Sequence, residues 1–220
     1  MTSQPRRVAI AGAGGLGREA ASLLLVLQAA GGFEAAGFLD DDPTLAGRSV
    51  LGLPVLGPLE TIRSIPGCEL VLALGSPGDR TARQRIVERL ALPPDRYASL
   101  IDPSVSIGAE VEIGAGSIIF AGTVFTQGIR VGGHAVMMPN VVLTHDDVVG
   151  DYVTFGAGAK LAGRVTIGDC AYLGSGAVLR EGTSVGAGAL LGMGSVLLDD
   201  VPAGETWAGV PAGPLGALDR

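Results

Sequence analysis

"IDPSVSIGAEVEIGAGSIIFAGTVF", residues 101–125, carries a large apolar residue at every sixth position. The series opens with Ile101, Ile107, Ile113, Ile119 and Phe125. It continues unbroken through Val131, Met137, Leu143, Val149, Phe155, Leu161, Ile167, Leu173, Leu179, Val185 and Leu191 to Leu197. A second column runs four residues behind, from Val105 through Ser117, Ala135 and Val153 to Ser195. It holds small or β-branched residues everywhere except at Asp147. The residue directly after the large one is often glycine, as at Gly108, Gly150, Gly168 and Gly192. A period of six would scatter these positions around an α-helix, but it suits short strands joined by tight corners. Glycine supplies corner backbone that other residues resist. Three hexads close one triangular coil, so each residue stacks on the one three hexads later and the run makes between five and six coils. The large residues are expected to fill the prism and the small ones to pack near its corners.

Upstream the texture changes. "RVAIAG", "AAGFLDDDP", "LPVLG" and "ELVLALGS" read as strands. "GREAASLLLVLQAAG", "LETIRSI" and "DRTARQRIVERLALP" read as helices. This alternation predicts a parallel sheet with covering helices. The expected division is residues 1–99 for this α/β unit and 100–220 for the all-β prism with a C-terminal tail. Aromatics make up only 4% of the chain, so both cores must be aliphatic. A net charge of −7 without a basic run argues against nucleic acid or an anionic membrane. The longest apolar run, "LLLVL", is far short of a membrane span, and the N-terminus lacks a signal-peptide pattern. Cys68 and Cys170 match no metal spacing and fit two buried thiols in a reducing cytoplasm.

The repeat breaks at "LTHDD", residues 143–147. The chain has only two histidines, and His145 stands there beside Asp146, with Asp147 in the small-residue column. Local departures of this kind tend to mark functional sites. A neutral imidazole can take a proton near neutral pH, and an adjacent carboxylate can fix its tautomer. One coil further stands Gly163, roughly 4.8 Å along the axis. Its unobstructed N–H can hold a developing oxyanion, which suits acyl transfer from a thioester. The alternatives are a solvated turn with a plain corner glycine, and a metal enzyme. The metal reading fails on number, because two histidines cannot make a three-histidine zinc site within one chain.

The segment "NVVLTHDDVVGDYVTFGAGAKLAGRVTIGDCAYLGSGAVL" resembles the central coils of hexapeptide-repeat sugar acetyltransferases of the sialic-acid O-acetyltransferase-like group. That group includes N-acetyltransferases of nucleotide-linked 4-amino-4,6-dideoxy sugars. "FLDDDP" followed by "GLPVLG" resembles its N-terminal domain, and "AGVPAG" its closing motif. The resemblance implies a Rossmann-like sugar-nucleotide domain, a left-handed β-helix and a cytoplasmic homotrimer with active sites between subunits. It implies acetyl-coenzyme A as cosubstrate and no metal. It assigns His145 as base, Asp146 as its partner and Gly163 as oxyanion donor. The coenzyme is then expected to touch Gly163, Gly174, Ser175, Met193, Val210 and Pro211. The chain departs from the family pattern at Leu16, Thr154 and Gly213, where relatives commonly carry histidine, histidine and a basic residue.

"GAGGLG", Gly12 to Gly17, follows a strand and opens a helix, as phosphate-binding loops do. Read alone, with Asp40 after the next strand, it suggests a nicotinamide dinucleotide. The unit is short and no catalytic domain for hydride transfer follows, so a sugar-nucleotide diphosphate is the preferred ligand. Gly14, Gly15, Leu16, Asp40, Asp41, Ser76 and Arg80 are its expected contacts. The leading expectation is acetyl transfer to the amine of a nucleotide-linked amino sugar, for surface polysaccharide or glycan synthesis. The alternatives are O-acetylation of a sugar hydroxyl and a non-catalytic scaffold trimer.

Overall fold

The computed structural model describes residues 4–215; the expected domain limits at residues 1 and 220 lie outside them. The first unit is a sheet ordered β3-β4-β2-β1-β5. Its strands are β1 (Arg6–Ala11), β2 (Phe33–Leu39), β3 (Ser49–Val50), β4 (Leu53–Gly57) and β5 (Cys68–Leu72). All pairs are parallel except β3 with β4, an antiparallel edge that the sequence reading omitted. "LETIRSI" forms a 3₁₀ helix, Leu59–Ser64, not an α-helix. Helix α1 (Gly15–Ala29) follows β1, and α2 (Ala82–Leu90) follows β5. The connections from β1 to β2 and from β2 to β4 run one way across the sheet, and β5 returns to the other side of β1. Ligands of such sheets bind at this reversal, beyond the carboxyl ends of the strands.

The second unit is a left-handed β-helix of three parallel faces. The first face stacks Leu100–Ile101, Ile118–Ile119, Val136–Met137, Thr154–Phe155, Tyr172–Leu173 and Leu190–Leu191. The second runs from Ser106–Ala109 to Val196–Leu197, and the third from Glu112–Ile113 to Ser184–Val185. Partners such as Phe125 and Leu143, or Val149 and Ile167, keep the expected register. The last coil is shorter, pairing Leu190 with Thr206 and Val185 with Val201. One core joins the large column to the small one, from Ile119 to Val201. Its first coil is open, and Ile107 is 49% exposed.

The frequent glycine after the large residue has a different cause from the one expected. At Gly174 a Cβ would lie 2.7 Å from the Gly192 carbonyl carbon of the next coil, so close approach of coils excludes a side chain. The left-handed corner residue comes two positions later, as at Gly176, His134 and Asp146 with φ of +70°, +56° and +64°. The N–H of His134 and of Asp146 there donates to the preceding coil, to Ala115 and Gln127 carbonyls.

The two units share a core. Leu23 and Leu24 of α1 belong to one buried cluster with Ile118, Phe120 and Val136 of the first face. Helix α2 lies along the corner between the third and first faces. There the buried Arg83 donates to the carbonyls of Leu74, His134, Tyr152 and Val153, and to Thr154 Oγ1 at 2.8 Å. With no carboxylate among these partners, burial holds its guanidinium down to about 10. Thr154, noted as a family departure, is thus a strut between the units. Among the described residues no helix is long and apolar enough to cross a membrane.

Candidate active site

His145 stands at the corner between the second and third faces. Its Nδ1 lies 2.9 Å from Asp146 Oδ2, and both side chains are exposed. Gly163 stacks beneath the imidazole as the coil period predicts. A Cβ on Gly163 would run into the ring, whose Cδ2 lies 2.8 Å from that position. The ring therefore occupies the space that glycine leaves. Among the described residues the Gly163 N–H has no protein acceptor. Asp147 is fully buried and braces the corner: one oxygen accepts from Thr144 N–H at 2.9 Å, the other from Val165 N–H at 2.9 Å. Burial outweighs these donors and pushes its carboxyl up to about 6. The corner thus offers one solvated imidazole, one carboxylate oriented on it and one unused amide. That set can remove a proton and stabilise an oxyanion.

The other histidine has no such freedom. His134 lies between Tyr97, edge-on at 4.7 Å, and Tyr152, stacked at 5.3 Å. Its Nδ1 has no partner, and burial with the nearby Arg83 charge drives its pKa down to about 4.

A cavity of about 950 Å³ opens elsewhere, between the first face, the corner after it and the α/β unit. Gly174, Ser175 and Met193, three of the expected coenzyme contacts, line it, and Met193 is 80% exposed. Tyr172, Leu190 and Thr206 line it too and went unnoticed in the sequence. The other expected coenzyme contacts lie elsewhere. Val210 and Pro211 do not line the cavity, because they form the outer turn between Thr206–Gly209 and Ala212–Pro214. Gly163 lies at the His145 corner and, within one chain, apart from the cavity lining.

The glycine loop splits into structural and open positions. A Cβ at Gly12 would meet the Ala73 carbonyl oxygen at 2.9 Å, and one at Gly17 the Gly12 carbonyl carbon at 2.8 Å. At Gly14 and Gly15 a Cβ would meet nothing within 4 Å. The first turn of α1 therefore faces open space with no side-chain cap. Leu16 is half-buried and packs against the core shared by the two units. Asp40 shapes the loop, accepting from Ala13 N–H at 2.8 Å and Asp42 N–H at 2.9 Å. Asp41, also an expected ligand contact, accepts from Leu59 N–H at 2.9 Å and pairs with Arg89 at 2.8 Å. Ser76 Oγ accepts from Asp79 N–H within its own turn. Arg80, expected beside the sugar nucleotide, lines the 950 Å³ cavity with Ser175 and Met193.

Comparison with known proteins agrees with both units. The PglD N-terminal domain matches residues 7–90. The hexapeptide repeat of succinyl-transferase matches residues 104–145, and the bacterial transferase hexapeptide matches residues 148–181. No curated protein matches the chain. Among solved structures, the acetyltransferase domain of PglB from Neisseria gonorrhoeae, with acetyl coenzyme A, is 30% identical with a TM-score of 0.83. The match spans 96% of this chain and 100% of that one. A mutant GDP-perosamine N-acetyl transferase from Caulobacter crescentus, with CoA and GDP-perosamine, is 30% identical with a TM-score of 0.83, over 95% and 96% of the two chains. WeeI from Acinetobacter baumannii is 33% identical with a TM-score of 0.81, over 94% and 99%. With identity at this level along nearly the whole of both chains, the protein belongs to the hexapeptide-repeat acetyltransferases that carry a PglD-type N-terminal domain.

Proposed function

We propose that the protein transfers an acetyl group from acetyl-coenzyme A to the amino group of a nucleotide-linked amino-dideoxy sugar. The observation that carries this reading is the corner where His145, oriented by Asp146, lies over Gly163. The likeness to acetyltransferases solved with acetyl coenzyme A and with GDP-perosamine supports the substrate classes.

The unprotonated amine attacks the thioester carbonyl. A C–N bond forms, and the carbonyl oxygen gains charge, which the Gly163 N–H stabilises. His145 Nε2 takes the proton released by the attacking nitrogen, while Asp146 on Nδ1 holds the productive tautomer and steadies the imidazolium. Collapse of the tetrahedral adduct breaks the C–S bond, and the imidazolium returns its proton to the departing thiolate. The diphosphate of the sugar nucleotide sits against the open first turn of α1 at Gly14, Gly15 and Leu16, where backbone N–H groups and the helix dipole favour anions. The pantetheine arm lies in the cavity along Ser175 and Met193.

His145 and this cavity lie on different corners of one prism. A single copy is therefore half a site twice over, and a homotrimer brings the base of one subunit to the cavity of the next. The two free buried thiols and the two substrates fit work in the cytoplasm, in glycan or surface-polysaccharide synthesis.

Thiol release from acetyl-coenzyme A tests the reading. The acceptor panel holds UDP-, dTDP- and GDP-linked 4-amino sugars, with free and CMP-linked sialic acid. Release with an amino sugar is the expected result. Release with sialic acid alone would replace N-acetylation by O-acetylation. Coenzyme that fails to bind would return the chain to a scaffold.

A further inference from the structure

Arg80 stands where the two units meet. It follows the Ser76–Asp79 turn beyond β5 and leads into α2. Its Nε donates to the Gly188 carbonyl of the prism at 2.8 Å, and its Nη1 to the Pro77 carbonyl at 2.7 Å. These bonds use two of the five guanidinium N–H groups, and both acceptors are neutral. Among the described residues no carboxylate pairs with Arg80. Its neighbours in the turn are otherwise engaged: Asp79 is bound in a two-pronged pair by Arg85.

The side chain is half-buried and lines the 950 Å³ cavity. Among the described residues only one other charged residue lines it, Glu205, whose carboxylate accepts from Trp207 Nε1 at 2.8 Å. The hairpin Thr206–Gly209 with Ala212–Pro214, which forms the far wall, has no basic residue. The remaining lining is mainly glycine and apolar side chains. A cation drawn partly out of water, pinned by carbonyls and left without a counter-ion, is suited to an anion that arrives with a ligand. A planar guanidinium with a free edge matches phosphate oxygens better than a point charge does.

We propose that Arg80 binds a phosphate of the acyl donor, so that the α/β unit, and not the prism alone, recognises the coenzyme. This rests on reading the cavity as the coenzyme pocket. The cavity then divides by chemistry. Its apolar part along Met193 and Leu190 takes the pantetheine arm, and Arg80 at its edge takes the phosphate end.

The test measures the affinities of coenzyme A, dephospho-coenzyme A and pantetheine for the intact protein and for Arg80→Ala and Arg80→Lys. Arg80→Ala is expected to weaken coenzyme A about tenfold or more, the size of a lost charge-assisted contact, and to leave pantetheine unchanged. Arg80→Lys is expected to recover part of that loss. Weakening confined to coenzyme A assigns the contact to the 3′-phosphate; equal weakening of dephospho-coenzyme A assigns it to the pyrophosphate. Equal weakening of all three ligands would overturn the proposal and leave Arg80 as a strut to Gly188. No weakening of any would overturn it too. Native protein that binds pantetheine but gains nothing from the phosphates overturns the proposal alone. Native protein that binds none of the three overturns the coenzyme reading with it.

Discussion

His145 and His134 are the chain's two histidines, and both place their rings over a glycine one coil away, Gly163 and Gly116. The likeness ends there. His145 is exposed, with a carboxylate on Nδ1 and an unused amide beneath it. His134 is walled in by Tyr97 and Tyr152 beside a buried guanidinium, and no carboxylate holds its Nδ1. A repeating prism thus lets a ring lie over a glycine at more than one corner, from different positions of the hexad. Surroundings decide whether the ring stays open to solvent beside a carboxylate or serves as a packing group.

Replacing each histidine separates these roles. His145→Ala is expected to lower kcat about 10²- to 10⁴-fold with little change in Tm or in coenzyme affinity. His134→Ala is expected to leave most activity but to cost about 2–4 kcal/mol of stability, because it opens a void between two tyrosines and Arg83. Steady-state kinetics and thermal unfolding on both variants check the pair; a base role for His134 would appear as a collapse of kcat at full stability.

Gly163→Ala sharpens the comparison from below. The new methyl must displace the His145 ring, so kcat is expected to fall about tenfold or more while the fold survives. Asp146→Asn should cost less, about tenfold in kcat. Asparagine tolerates the left-handed backbone at φ +64° and still accepts from Nδ1, but it does not steady an imidazolium.

The smallest effect is on stability against pH. His134 has a folded pKa near 4 against an ordinary 6.5, so its contribution is whole above pH 6.5 and is lost as pH falls through 4. Asp147 has a folded pKa near 6 against an ordinary 3.8, so its contribution is whole below pH 3.8 and is lost as pH rises through 6. Between pH 6 and 4 the two oppose. His134→Gln is expected to flatten the loss of Tm on acidification and Asp147→Asn to steepen it. Parallel Tm curves for all three proteins would contradict this assignment.

The prism and its His145 corner were legible because they are local in a periodic code. The large column fixes the register, and the register puts Gly163 under His145. Asp147 stood out because a buried acid breaks the small-residue column, and its two N–H donors explain why it is tolerated there. The α/β unit was legible as strands and helices but not as contacts. Asp40 and Asp41 occupy the expected strand end, yet their oxygens bind backbone and Arg89, partners that only the folded loop creates. Arg83 looked like any charge on an amphipathic helix. Its burial depends on how α2 docks against coils 51 to 71 residues away. Arg80 sat in a loop whose carbonyl partner, Gly188, lies 108 residues downstream. Docking across such separations leaves no pattern in sequence.

The central claim is that the His145 corner and the cavity form one active site only between copies. Subunit complementation tests it most directly. Ser175→Trp fills the cavity from an exposed position and His145→Ala removes the base, so each variant alone is expected to be inactive. Unfolded and refolded together in equal amounts, they should regain about one quarter of native thiol release, the chance that a good cavity meets a good base across an interface. No recovery from mixed assemblies would place both halves of the site in the same chain and contradict the account.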